Sequence, residues 1–233
     1  MGEASKEGFL ALTPEDLLGP LNEVEARNAP KILFIEGHRE VISAGPRVAV
    51  IGARKATDEG IRRTKRLARE LSANGVTIVS GLAEGVDTAA HQAALETGGR
   101  TIAVIGTSLD KAYPSGNREL QDLLAEKYLV ISQFAVGTPT QPRNFPLRNR
   151  TMALISHASV IVEAGESSGS LSQGWEALRL GRPLFLLRSI LESTDLKWPA
   201  QMLDYGASVL TEVEDLLDVI PCGAPVEPCD AAF

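Results

Sequence analysis

An α/β fold built on a doubly wound, mostly parallel β-sheet is predicted by three features of the sequence. Short apolar segments recur along its centre, each is apolar almost without interruption, and helical periodicity fills the intervals between them. Continuous apolar runs are typical of parallel strands covered on both faces. Repeated strand–helix–strand units connect by right-handed crossovers and place helices on both sides of one sheet. The predicted strands are 48–51, 76–80, 101–105, 129–132, 160–163 and 184–187.

Helices are predicted between these strands. In the first, apolar side chains and Thr64 form one stripe, while five basic side chains between positions 62 and 69 lie outside it. Thr57 is suited to cap its N-terminus, and Asn74-Gly75 to end it. The predicted helices cover 59–74, 85–97, 117–126, 149–156 and 171–180.

Three parts are expected along the 233 residues. Residues 1–45 are predicted to form a helical lead-in with a first strand at Ile32–Ile35, and residues 46–220 the α/β core. Residues 221–233 contain turn formers without periodicity, which predicts a loose tail.

The amino-acid composition indicates a globular protein and argues against a membrane-spanning or a secreted one. Hydrophobic residues make up 44%, enough for a substantial core, and no apolar run reaches the roughly 20 residues of a membrane span. The first residues lack a secretory pattern, so a cytoplasmic protein without a membrane partner is expected. Cys222 and Cys229 lie far in sequence from the three histidines, so neither a disulfide framework nor a metal site is expected.

The net charge of −7 is unevenly distributed. Residues 1–30 carry −4 and residues 204–233 carry −7, which leaves +4 on residues 31–203. A mildly basic centre between acidic ends is able to steer a phosphate-bearing ligand to one face, although acidic ends also simply aid solubility.

Ligands of doubly wound sheets bind beyond the carboxyl ends of the strands. This rule places four segments along one edge: 52–55, 81–87, 106–114 and 163–170. In the first segment, Gly52, Arg54 and Lys55 lead from a strand into a helix start, a position suited to phosphate. The GxGxxG fingerprint is absent, so no dinucleotide cofactor is expected.

The second segment opens with Ser80 and Gly81, small residues that let a ligand approach the backbone. Asp87 and His91 lie four residues apart on one helix face. They are interpreted as a structural hydrogen-bonding pair in preference to an acid–base pair.

Two further motifs favour nucleic acid. Arg143, Phe145, Arg148, Asn149 and Arg150 combine three arginines with an aromatic ring and no acidic residue, which suits backbone phosphates and base stacking. In the last segment, hydroxyl groups and glycine N–H groups form a potential anion nest, or an ordinary helix cap. Its predicted phosphate-binding residues are Ser168, Gly169 and Ser170.

In this order and spacing, the motifs resemble the DprA/Smf family of DNA-processing proteins. The resemblance covers about 17–220 and includes the Gly52–Arg54 turn, Ser80–His91, Tyr113-Pro114, Phe145–Arg150 and Glu163–Leu171. It implies a Rossmann-like domain, usually dimeric, that binds single-stranded DNA and helps load a RecA-type recombinase during transformation or recombination. It implies that Arg54, Arg148 and Arg150 contact DNA phosphates beside the 168–170 loop, with no catalytic activity.

The sequence departs from the family pattern at several positions. Ser167 and Glu84 stand where basic residues are common, and Arg188-Ser189 replaces a Pro-Gly pair. Each lost basic contact lowers affinity for DNA and its sensitivity to salt. A C-terminal winged-helix domain is not expected, and the front helical domain is expected to be at most a remnant.

A second hypothesis is a nucleotide-binding sensor or a nucleotide N-glycosidic hydrolase similar to the LOG-type phosphoribohydrolases. Glu163 and Glu176 are its candidate carboxylates, because a carboxylate beside a ribose stabilises an oxocarbenium-like centre. Glu176 is more simply interpreted as a solvated helix residue.

Overall fold

The strands form one mixed sheet in the computed structural model, which describes residues 9–193 and 195–221. The order across the sheet is β1-β2-β6-β5-β4-β3-β7-β8-β9, and the strands from β3 to β9 run parallel. The α/β class with a doubly wound, mostly parallel sheet is thereby confirmed. The strands are β1 (Leu10–Leu12), β2 (Leu33–Gly37), β3 (Arg47–Gly52), β4 (Thr77–Ser80), β5 (Thr101–Ile105), β6 (Leu129–Ser132), β7 (Ala158–Glu163), β8 (Leu184–Leu187) and β9 (Ser208–Leu210).

Helices connect the strands, together with two short 3₁₀ segments at Arg39–Ser43 and Ser115–Asn117. Thr57 caps α3 by accepting a hydrogen bond from the Gly60 N–H at 2.9 Å, as predicted. The helices are α1 (Pro14–Leu18), α2 (Glu23–Asn28), α3 (Asp58–Ala73), α4 (Val86–Glu96), α5 (Arg118–Lys127), α6 (Asn144–Ile155), α7 (Ser170–Arg179), α8 (Arg188–Leu191), α9 (Trp198–Asp204) and α10 (Val213–Leu217).

The six predicted central strands are all present, three of them with the expected bounds. The lead-in is more structured than expected, since β1 pairs with β2 and β2 pairs with β6, both antiparallel. It therefore extends the same sheet. The boundary at residue 45 stays a prediction, and the tail beyond Pro221, with both cysteines, lies outside the described residues.

The predicted helix at 149–156 is wrong at its start, because α6 begins at Asn144. The Phe-Pro pair reads as a helix breaker, but Pro146 falls in the first turn. There the backbone N–H groups have no partner within the helix, so proline removes nothing. The arginine-rich motif is consequently helical, and its side chains point in different directions around α6.

Two apolar layers cover the faces of the sheet. Leu67 and Leu71 of α3 pack with Val48 and Val50 on one face. Met152 and Ile155 of α6 pack with Ile51 and other residues on the opposite face. Burying each such side chain contributes about 1.5–3 kcal/mol. Because both faces of the sheet are covered, the ends of its strands are the part that a ligand can reach.

Searches of the described ranges found no helix with the length and apolar character to cross a membrane. The same ranges contain no group of three or more potential metal ligands among His, Cys, Asp and Glu.

Candidate nucleic-acid interface

A cleft opens where the strand order reverses. β3 lies between β4 and β7, so the chain leaves the carboxyl ends of β3 and β7 toward different parts of the sheet. Such switch points are the usual ligand sites of doubly wound sheets. The cleft has a volume of about 600 Å³ and is lined by the turn after β3, the loop after β7, and α6. Its lining includes Gly52, Arg54, Lys55, Asp87, Phe145, Arg148, Asn149, Ser167, Ser168, Gly169 and Ser170.

Arg54 and Phe145 form the mouth of the cleft. The Arg54 Cζ atom lies 5.4 Å from the centroid of the Phe145 ring, a cation–π contact. The Tyr113 ring lies 5.2 Å from the same phenyl ring, tilted by 47°. Arg54 forms no ion pair within the described residues. Its charge is therefore available to a ligand beside an aromatic surface.

Arg148 forms the floor of the cleft and is only 5% exposed. Its Nη1 donates to the Val104 carbonyl at 2.9 Å, and its Nε has no hydrogen-bond partner. The guanidinium lies so close to Gly81 that a Cβ there would be 1.5 Å from Nη1. Burial lowers the pKa of Arg148, and the nearby Asp87 charge acts in the opposite direction. Gly81 therefore makes room for a charge held beneath the surface.

Asp87 and His91 support this floor through different partners. Asp87 Oδ2 accepts hydrogen bonds from the backbone N–H groups of Gly81 and Ala83 at 3.1 and 3.4 Å. Burial raises the pKa of Asp87, while Arg148 and these hydrogen bonds oppose that shift. His91 Nδ1 lies 2.7 Å from the Thr101 hydroxyl, and burial lowers the pKa of His91 to about 3. The imidazole is thus neutral at neutral pH, which fits a structural role.

The serine-glycine loop is tied to α6 by Asn149. The Asn149 side-chain amide donates to the Gly169 carbonyl at 3.1 Å and to the Ser172 hydroxyl at 2.6 Å. The hydroxyl groups of Ser168 and Ser170 lie 2.7 Å apart. Asn149 therefore uses its donors to orient the loop, and the two serine hydroxyls lie at the cleft.

The N-terminus of α3 is already occupied by the protein itself. Glu163 accepts hydrogen bonds from the Thr57 N–H at 2.9 Å and from the Thr57 hydroxyl at 2.6 Å. Asp58 and Glu59 add negative charge in the first turn. An anion in the cleft would therefore be bound by Arg54, Lys55 and the loop after β7 rather than by the N-terminus of α3.

Four predicted site residues do not line the cleft: Gly81, which packs against the Arg148 guanidinium, and three that are placed elsewhere. Ser80 is fully buried, and its hydroxyl donates to the Val50 carbonyl at 2.7 Å. Arg143 is exposed at the start of α6 but does not line the cleft. Arg150 Nε lies 2.9 Å from Glu176 Oε1 on α7, also outside the cleft lining.

The two glutamates of the hydrolase hypothesis are committed to other contacts. Glu163 holds Thr57, and Glu176 pairs with both Arg150 and Arg179. Neither presents a free carboxylate to the cleft, so this alternative is not favoured.

The basic side chains of α3 all have acidic partners within the protein. Glu59 pairs with Arg62 and Arg63. Glu70 pairs with Arg66, and Glu96 of α4 pairs with Lys65 and Arg69. Three carboxylates thus contact five cations, so the positive charge of this surface is reduced but not cancelled.

Tyr113 was named from the sequence only as part of the Tyr113-Pro114 motif, without a predicted role in the site. It lines a second cavity of about 280 Å³ that shares Arg54, Phe145 and Arg148 with the cleft. The Tyr-Pro pair follows β5 at the predicted ligand edge, so its position in the sequence was a usable signal.

Comparison with known proteins shows the family to which this chain belongs. The family model described as DNA recombination-mediator protein A matches residues 12–221. A Smf protein from Synechocystis is 37% identical over 209 residues, 88% of this chain and 52% of that protein. A DNA processing protein DprA from Streptococcus pneumoniae is 38% identical over 199 residues, 85% of this chain and 70% of that protein. The chain thus spans about half the length of the Synechocystis relative.

A solved structure shares the fold over nearly its whole length. DNA processing protein A from Helicobacter pylori, described for its single-stranded DNA binding mode, superposes with a TM-score of 0.75 at 29% identity. The match covers 90% of this chain and 94% of that one.

Proposed function

The chain belongs to the DNA recombination-mediator protein A family, and from that premise we propose that it binds single-stranded DNA in the cleft between β3 and β7. The similar Helicobacter pylori protein has a single-stranded DNA binding mode. As a DNA-processing mediator, this chain is proposed to present the bound strand to a RecA-type recombinase. Chemical conversion of the DNA is not part of the proposal.

The observation that carries the proposal is the contact between Arg54 and Phe145 at the mouth of the cleft. Single strands are held by cations that follow the backbone and by aromatic rings on which bases stack. Here an unpaired guanidinium and a half-buried phenyl ring meet at 5.4 Å, with hydroxyl groups across the cleft. A cation for the phosphate and an aromatic ring for the base therefore lie close enough together to contact the same nucleotide.

The proposed roles follow from exposure. Arg54 and Lys55 contact phosphate oxygens, and Phe145 stacks with a base. Ser168, Gly169 and Ser170 offer hydroxyl and N–H donors from the loop after β7, and Gly52 lines the cleft in the turn after β3. Arg148 adds positive potential from the floor, and Gly81 and Asn149 hold the walls in place. Arg143 and Arg150 are proposed to meet the strand outside the cleft; Ser80 supports the floor.

Binding should depend on strand length and on salt. Labelled oligo-dT and a labelled mononucleotide are titrated with the protein over a series of KCl concentrations. We expect the oligonucleotide to bind more tightly and its affinity to fall steeply with salt, because condensed counterions are released. Arg54→Ala should weaken binding by roughly tenfold at low salt and reduce the slope of log K against log salt by about 0.7.

Arg66→Ala is the matched control, since it also removes one exposed arginine but lies on α3 and pairs with Glu70. Absence of oligonucleotide binding at low salt would overturn the proposal. So would equal losses in the two variants, because the cleft would then have no special part in binding.

The dimeric state and the RecA-type partner stay predictions that rest on the family resemblance, and the cytoplasmic location stays a prediction that rests on the sequence of the first residues. Analytical ultracentrifugation of the chain alone tests the first. Co-sedimentation of a RecA-type recombinase with DNA-bound protein tests the second.

A further inference from the structure

The smaller cavity beside the cleft differs from it in charge. Both cavities share Arg54, Phe145 and Arg148, but only the smaller one has Glu84 at its wall, together with Tyr113. Its volume of about 280 Å³ is at the lower limit of small-ligand sites. We propose that this cavity takes an unstacked nucleobase and that Glu84 selects guanine over thymine there, an inference that rests on the proposed DNA binding.

Glu84 is free to meet a ligand. Its side chain is exposed, and it forms no hydrogen bond or ion pair within the described residues. By contrast, Asp87, three residues on, is buried, and its Oδ2 accepts hydrogen bonds from the backbone N–H groups of Gly81 and Ala83. Of these two carboxylates, Glu84 is the exposed one.

The backbone that carries Glu84 is held firmly. Leu82 is fully buried with a φ of +58°, a left-handed conformation that is uncommon outside glycine, and Asn117 donates to its carbonyl at 2.9 Å. Gly85 packs against the Arg54 turn so closely that a Cβ would lie 2.5 Å from the Arg54 carbonyl oxygen. Strained backbone of this kind persists where surrounding contacts over-determine it. The position of Glu84 relative to Arg54 is therefore fixed on both sides.

The opposite wall is aromatic. Tyr113 is 48% exposed and contacts Phe145, so the two rings leave open surface on which a base can stack. Base–aromatic stacking contributes about 1–3 kcal/mol and tolerates every base. Any selectivity must therefore come from polar groups at the rim.

A carboxylate accepts hydrogen bonds and donates none. It repels phosphate, which favours backbone binding in the cleft and base binding in the smaller cavity. Guanine presents two adjacent donors, N1–H and the 2-amino group, that match the two carboxylate oxygens. Thymine presents one N–H between two carbonyl oxygens, which a carboxylate repels. Glu84 should therefore prefer guanine.

The test uses oligonucleotides of about six nucleotides, a length close to the smallest single-strand sites. They are dT throughout except for one central position, which is dT, dG or deoxyinosine, the analogue of dG without the 2-amino group. We expect the wild-type chain to bind the dG strand about five- to tenfold more tightly than the dT strand, with deoxyinosine between them. Glu84→Gln should reduce the preference to less than about twofold, because the paired anionic acceptor is lost.

Glu84→Lys should bind all three strands more tightly without preference, with a salt slope steeper by about 0.7. Glu192→Gln is the matched control, since it removes one exposed carboxylate in a separate groove and should keep the preference. Equal binding of dG and dT strands, or a preference that survives Glu84→Gln, overturns this inference and leaves DNA binding intact. Failure to bind any strand overturns both.

Discussion

The cleft and the outer face of α3 are the two basic regions of the molecule, and they use their cations in opposite ways. α3 carries five basic side chains, all paired with Glu59, Glu70 or Glu96. The cleft has three, and neither Arg54 nor Arg148 forms an ion pair within the described chain. The proposed nucleic-acid site therefore differs from the outer face of α3 in the availability of its positive charge rather than in the number of its cations.

The largest expected effect comes from filling the space beneath the cleft. Gly81→Ala places a methyl group 1.5 Å from Arg148 Nη1, so the buried guanidinium has to move. We expect the free energy of unfolding to fall by about 2–3 kcal/mol. Urea denaturation measures this, and anisotropy with oligo-dT should show weaker binding as well.

Gly116→Ala is the control for that substitution, because an added Cβ meets nothing within 4 Å. If Gly81→Ala matched this control in stability and in binding, the cleft floor would not depend on the Gly81–Arg148 contact.

A pH titration separates the buried floor from the exposed helix. The pKa of His91 is about 3 in the folded chain and 6.5 in its ordinary state, so the unfolded chain binds the extra proton. Its contribution to stability is complete above pH 6.5 and is lost as the pH falls toward 3, by up to about 1.4 kcal/mol per pH unit. Between pH 3 and pH 6.5, the free energy of unfolding of His91→Gln should depend less on pH than that of the wild-type chain. An unchanged pH slope would contradict the buried neutral imidazole.

Removing the carboxylates that pair with the basic side chains of α3 should make this helix bind DNA, as is proposed for the cleft. The triple variant Glu59→Gln, Glu70→Gln and Glu96→Gln removes the three carboxylates that pair with its cations. We expect oligo-dT affinity to rise about threefold at low salt and the salt slope to become steeper. Glu15→Gln, Glu119→Gln and Glu126→Gln together give the same change in net charge at other exposed positions. An equal gain in that control would mean that only net charge matters.

The smallest effect concerns stability. Single Glu59→Gln or Glu70→Gln variants should lower the free energy of unfolding far less than Gly81→Ala does, because these are exposed pairs on one helix. Thermal denaturation at low and at high salt tests this. A loss as large as that of Gly81→Ala would show that the pairs hold α3 in place.

Much of the fold was predictable because its central strands are almost continuously apolar in sequence. In Val48–Ile51 and Thr101–Ile105, the side chains on both faces of the strand must be buried. This pattern is typical of parallel strands. The loops that follow them were therefore placed on the correct edge. The start of α6 was missed because a proline in a first turn looks the same in sequence as one that ends a helix.

The site was less predictable, for reasons that involve packing. Arginine is rarely fully buried, so nothing local marks Arg148 as the floor of a cleft. The pairs of Glu59 and Glu70 follow helical spacing and are visible in the sequence. The pairs made by Glu96 depend on how α4 packs on α3, which spacing cannot reveal. Tyr113 reaches Phe145 only because the loop after β5 and the start of α6 converge.

The hydrogen bonds from Thr57 to Glu163 have a kinetic consequence. They join the segment after β3 to the end of β7, so both sides of the switch point are braced before any ligand arrives. A strand entering such a preformed channel has little loop entropy to overcome, and rigid partners of this kind associate with small structural change. Association should then be set by diffusion and long-range attraction, and the lifetime of the complex by how firmly each nucleotide is held.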